Sequence, residues 1–134
     1  MARLRRKQSR GFTLIELMIV ISIMLILVSM AIPAYNQSIR RAKESVLKQN
    51  LFTLRSLISQ YTLDKQKAPQ ALDDLVSAGY IKQIPNDPMT GSPNWEAVQE
   101  EDYALSVDQN ETGITDVKSA STDISSDGTA YNTW

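Results

Sequence analysis

Histidine and cysteine, which carry much of protein chemistry, are both missing from this 134-residue chain. Without them there is no Ser-His-Asp or Cys-His nucleophile, no zinc site of the usual kinds and no disulfide staple. Carboxylates remain. Asp73 and Asp74 are adjacent, but neighbours on a helix face different directions and make a poor acid–base pair. No Gly-rich phosphate loop is present, so nucleotide chemistry has no anchor. The carboxylate that stands out is Glu16, the one charge inside an apolar run. A carboxylate in hydrocarbon costs about 2.5–3.5 kcal/mol near a bilayer centre. Glu16 therefore needs a place near the headgroups, a helix N-terminus or a buried cation.

The element around it is the run FTLIELMIVISIMLILVSMAIP, residues 12–33. Its length suits a bilayer, which takes roughly 20 residues at 1.5 Å each. Arg3, Arg5, Arg6, Lys7 and Arg10 precede it, and that cluster holds the N-terminus on the cytoplasmic side. Arg40, Arg41 and Lys43 beyond the run weaken this asymmetry without reversing it. A signal peptide cut after Ser29-Met30-Ala31 is the plainer alternative, but its apolar region would carry a glutamate and exceed the usual length. The apolar pattern also continues. Ile39, Ala42, Val46, Leu47, Leu51, Leu54, Leu57, Ile58 and Tyr61 recur at helical steps, with Arg41, Lys48, Gln49 and Arg55 on the other face. One long helix from about residue 12 to 65 follows, half in lipid and half amphipathic. Pro33 removes a backbone donor within it and should kink or loosen it.

Arg10-Gly11-Phe12-Thr13-Leu14-Ile15-Glu16-Leu17, ahead of an apolar run that contains Pro33, resembles the processing site of type IV prepilins and type II secretion pseudopilins. The resemblance implies cleavage between Gly11 and Phe12 by a prepilin peptidase, and methylation of the new Phe12 amine. Glu16 becomes the fifth mature residue and Pro33 the twenty-second. Glu16 would then pair with the Phe12 amine of a neighbouring subunit and set the axial register. Residues 25–33 would be the part able to lose helicity in the filament.

The implied fold is α+β and pilin-like, a long N-terminal helix packed on a small antiparallel sheet. Its parts are a basic leader (1–11), a transmembrane and assembly helix (12–33), the amphipathic half of that helix (34–66) and a small head with an acidic C-terminal loop (67–134). In the head, Pro69 opens a short helix that Gly79 stops. Strands are expected at 95–98, 103–107 and 114–117. Residues 119–134 read as loop, with Trp134 packing back on the head. Pro69 to Leu75, Gly79-Tyr80-Ile81, Asp87-Pro88 and the acidic loop with Asn132-Thr133-Trp134 are similar to major pseudopilins. That resemblance implies calcium in the loop, with Asp116, Asp123 and Asp127 as candidate ligands completed by backbone carbonyls. A solvated acidic loop without metal is the other reading.

The whole therefore reads as a structural subunit and not an enzyme. Expected partners are copies of itself, the prepilin peptidase, inner-membrane assembly proteins, minor pseudopilins and the membrane. Nucleic acid is excluded as a primary partner. From residue 84 onward Lys118 is the only basic residue among many acids, and those acids repel phosphate. The expected location is the inner membrane in a single pass, head in the periplasm, then a periplasmic or cell-surface filament. A secretion pseudopilus is the first reading. A surface pilus for adhesion, motility or DNA uptake is the second, and a secreted binding module the third.

Overall fold

The computed structural model describes residues 11–100 and 112–134. Of these, the residues up to Ser38 form one compact unit and Ile39–Trp134 a second. The elements in chain order are α1 (Leu14–Lys65), α2 (Asp73–Ser77), β1 (Trp95–Glu100), β2 (Gly113–Ser119) and a 3₁₀ turn (Tyr131–Thr133). This is the α+β, pilin-like fold expected.

The first element begins at a cap. The Thr13 hydroxyl accepts the Glu16 amide at 3.3 Å, which satisfies one of the orphan donors of the first turn. The apolar side chains of the first turns are exposed, Phe12 at 84% and Leu25 at 65%. This helix is long and apolar enough to cross a membrane. It continues as helix through Pro33, so residues 25–33 keep their helicity in the single chain. Ser22 and Ser29 donate their hydroxyls back to the carbonyls of Met18 and Ile26 (2.7 Å each), which hides their polarity inside the helix's own ladder. The helix ends at Gln66, in the left-handed region at φ 55°. The break therefore comes ahead of Pro69.

In the second unit, one stripe of α1 forms half of the core. Leu47, Leu51, Leu54 and Ile58, spaced at helical steps, are buried against Leu75, Trp95, Ile114, Val117 and Tyr131. Ile39, Ala42 and Val46, expected on the same face, are exposed. Arg55, expected on the solvent face, is half-buried and faces the head. The helical period alone does not say where along the helix the head sits.

The short helix α2 starts later than Pro69 suggested. Pro69 is buried, and its carbonyl accepts the Ile114 amide at 2.8 Å, which ties the loop to the start of β2. The Asp74 carboxylate caps the turn instead, accepting the amides of Gln70 (2.8 Å) and Ala71 (3.1 Å). Gly79 closes α2 at φ 82°, as its position suggested. Tyr80 then packs its ring at a tilt against Tyr61 of α1 with ring centres 5.6 Å apart, and its hydroxyl donates to Asp64 at 2.6 Å.

Strands β1 and β2 pair antiparallel from Trp95↔Ser119 to Glu100↔Gly113, with a bulge opposite the Val98/Gln99 step. They correspond to the first and third strands expected from the sequence. The segment 103–107 lies outside the described residues. Gly113 is required where it stands, because a Cβ there would collide with the Ala68 side chain and press on the Ala68 backbone at 3.1 Å.

Candidate functional site

The residues that the sequence singles out for processing and assembly lie at the start of the chain. Gly11 and Phe12 are exposed ahead of α1, and Glu16 is exposed in its first turn. Glu16 keeps its amide on the Thr13 cap, so its side chain is presented from a fixed helical position. The whole stripe from Leu14 to Ile32 is available for contact with lipid or with another apolar surface. An exposed apolar surface of this extent marks a membrane or protein interaction site.

The C-terminal segment is organised differently from the expectation of an acidic loop. Asp116 lies in β2, within the third strand expected, and its carboxylate takes the Arg55 Nε–H at 2.6 Å and the Val117 amide at 2.8 Å. Asp127 is exposed and lines a shallow notch with Lys48, Phe52, Arg55 and Trp134. The Asp123 carbonyl accepts the Tyr131 amide at 3.0 Å. Asp116, Asp123 and Asp127 do not form a three-carboxylate cluster. Among the described residues, no group of three Asp or Glu side chains could hold a metal ion.

Serine hydroxyls organise the segment. The Ser119 hydroxyl donates to the buried Asp87 carboxylate at 2.5 Å and accepts the Ser121 amide at 3.2 Å. The Ser121 hydroxyl in turn accepts the Asp123 amide at 3.3 Å. Ser125 accepts the amides of Asp127 (3.2 Å) and Thr129 (3.3 Å), which closes a tight turn around Gly128 at φ 84°. A bridge between Ile124 and Ala130 completes a small hairpin. Each hydroxyl stands in for a missing ladder bond. Asp87 also takes the Met89 amide at 2.8 Å, and this fixes the Pro85–Pro93 turn beneath Trp95. The Trp95 indole N–H donates to the Pro85 carbonyl at 2.8 Å.

This hairpin is fastened to α1 by residues that the sequence pattern did not single out. Glu44, only 6% exposed, occupies the next step of the buried stripe below Leu47. Its carboxylate accepts the Ser126 amide (2.7 Å), the Ser126 hydroxyl (2.5 Å) and the Tyr131 hydroxyl (2.8 Å). Arg40, one turn earlier, lies 3.7 Å from the same carboxylate and also donates to the Ile124 carbonyl. Burial would raise the Glu44 pKa, but the Ser126 donors, the Tyr131 hydroxyl and the Arg40 charge outweigh it and hold the carboxyl below its ordinary value. Burial, with Glu44 alongside, pushes the Tyr131 hydroxyl up. Further along α1, the Arg55 guanidinium also reaches the carbonyls of Val117 (3.0 Å) and Trp134 (2.7 Å). Trp134 packs back as expected. It meets the Tyr131 ring edge-on at 5.2 Å between centres, and Lys48 lies 4.6 Å over its face.

A family model described as the prokaryotic N-terminal methylation motif matches residues 6–32. Among curated proteins, the type II secretion system core protein G of Escherichia coli K12 is 32% identical over 132 residues, covering 87% of this chain and 83% of that protein. Core protein G of Klebsiella michiganensis is 33% identical over 104 residues, 66% of this chain and 73% of its own. Core protein G of Aeromonas hydrophila is 34% identical over 105 residues, 66% of this chain and 72% of its own. No solved structure gives a significant match. The motif at the start of α1, the α+β head behind it and an alignment that runs through both together place this chain in the type II secretion system core protein G family, the major pseudopilins.

Proposed function

We propose that this pseudopilin is made as a membrane precursor, cut between Gly11 and Phe12, methylated on the Phe12 amine, and then assembled into a short periplasmic filament. The observation that carries the reading is the apolar stretch of α1, exposed along its whole length, with Glu16 as its one charge. In the membrane, lipid covers this stretch, and Glu16 lies about 6 Å from the new N-terminus, near the headgroups. In a filament, neighbouring helices cover it, and the buried Glu16 carboxylate pairs with the Phe12 amine of another copy. The Glu16–amine pair selects the register, because a mismatch leaves a charge buried without a partner.

Pro33 interrupts the hydrogen-bond ladder at the head end of that stretch, so residues 25–33 are where the helix yields if packing requires it. The role is structural, without catalysis. The partners are further copies of the chain, the prepilin peptidase, inner-membrane assembly proteins and minor pseudopilins. The precursor crosses the inner membrane once, with its head in the periplasm.

Intact mass and N-terminal sequencing of protein purified from its native membranes test this. A chain that begins at methylated Phe12 is expected. A chain that begins at Ile32 would mean signal-peptide cleavage and a secreted module, and would sink the filament reading.

A further inference from the structure

The Glu44 hub has a direct bearing on how the C-terminal segment closes. A calcium ion takes six to eight oxygens at 2.3–2.6 Å, usually with several carboxylates among them. Several oxygens here are engaged otherwise, and Asp123 and Asp127 stand exposed to solvent. Asp116 is paired with Arg55 in β2. The hydroxyls of Ser119, Ser121 and Ser125 accept backbone amides. The carbonyls of Ile124, Val117 and Trp134 accept from Arg40 and Arg55, so guanidinium groups occupy the cationic positions around the segment. The fit to a divalent cation is poor.

We propose that the Glu44 carboxylate on α1 is the clasp that locks residues 120–134 onto the helix, and that this segment closes without a divalent cation. The physical reason is a polar swap. A metal would bind loop oxygens from a central positive charge, whereas here a central negative charge gathers loop donors. Glu44 collects the Ser126 amide and hydroxyl and the Tyr131 hydroxyl, while Arg40 bridges from Glu44 to the Ile124 carbonyl. Among the described residues, no buried side-chain nitrogen or oxygen is left without a hydrogen-bond partner. The hub is therefore complete with protein groups. It needs only the fold of the head, so its failure would leave the filament reading standing.

The test uses the full chain in detergent. Thermal unfolding is followed by tryptophan fluorescence in millimolar calcium and in excess chelator, beside amide hydrogen exchange of the wild type and Glu44→Ala. The expected melting temperature is the same in calcium and in chelator. Glu44→Ala is expected to lose at least about tenfold protection at the Ser126 and Tyr131 amides, while the Leu47–Ile58 amides keep theirs. If Glu44→Ala unfolds the head outright, Ser126→Ala and Tyr131→Phe supply the same local comparison. A melting temperature raised by several degrees in calcium would overturn the metal-free closure. Unchanged protection at Ser126 and Tyr131 would overturn the role of Glu44.

Discussion

A carboxylate that is 6% exposed survives in the second unit because three donors and one arginine face it. Burial costs the ionised form, and the hydrogen bonds return more than that cost, so the folded Glu44 pKa lies below the ordinary 4.5. The sign of the pH effect follows. A depressed carboxyl pKa contributes stability that is complete above about pH 4.5 and is lost as pH falls through the folded value. The groups that face it are Arg40 from α1 and Ser126 and Tyr131 from the hairpin, with Asp123 acting on Arg40. Asp123 is the other carboxylate among these groups, so it is substituted in parallel. Urea unfolding of wild type at pH 7 and pH 3.5 should therefore differ by more than the same pair of measurements on Glu44→Gln. Equal pH differences in the two proteins would remove Glu44 from the acid limb. Gly113 is the other residue whose identity is dictated by contact. Gly113→Ala pushes a Cβ into Ala68, and its expected cost is about 1–3 kcal/mol, read as a lower urea midpoint with the same slope.

At the scale of elements, α1 serves two environments with one helix, and each end has its own device. The Thr13 cap starts it and Gln66, with φ 55°, ends it. A left-handed non-glycine residue is strained, so Gln66→Gly should raise stability by roughly 0.5–1 kcal/mol, unless the Gln66 side-chain bond to Leu63 offsets the gain. Within the helix, Pro33→Ala restores the amide bond to the Ser29 carbonyl. Hydrogen exchange across residues 30–36 in detergent should slow by at least about tenfold, since an interior proline costs about 3 kcal/mol. An unchanged rate would mean that the helix there is already held by other contacts. Between the elements, Arg55 joins α1 to β2 and to Trp134 through Asp116 and two carbonyls. The pair is partly exposed, so Arg55→Met should cost only about 1–2 kcal/mol. Trp134 fluorescence should shift red as its carbonyl loses its donor.

For the whole molecule, the decisive asymmetry is between an apolar helix segment left uncovered and a second unit whose core is complete with one stripe of α1. The core rests on Leu47, Leu51, Leu54 and Ile58 against both strands and the 3₁₀ turn. Leu54→Ala should cost about 2–5 kcal/mol in the head, whereas Glu16→Ala should leave head stability unchanged. Glu16→Ala is instead expected to permit cleavage at Gly11 but to abolish filaments, read as the loss of crosslinked multimers of the chain in intact cells. Filaments at wild-type yield from that variant would count against the amine–carboxylate register. Membership of the pseudopilin family settles the choice between the secretion and surface-pilus readings that the chain's own residues left open.

The start of the chain was legible in its residues because its physics is one-dimensional. A basic cluster, Gly11-Phe12, Glu16, a bilayer-length apolar run and Pro33 are each read from residue type and position along the chain. The ends of α2 at Gly79 and the strands at Trp95 and Ile114 were legible for the same local reasons. The clasp was not. Glu44 and Arg40 sit in a stretch that reads as an ordinary solvated helix, and Ser126 and Tyr131 lie more than eighty residues away. A sign was available, since Glu44 stands at the helical step where the buried stripe would continue. Whether that step meets solvent or the head depends on where the hairpin lands. The same holds for Asp116, which a loop reading offers to a metal and the strand register hands to Arg55. Local sequence determined which segment is long and apolar enough to cross a membrane and where the helix and strands form. Only tertiary packing decided which charges are buried, because burial is a property of the partner that arrives and not of the residue that waits.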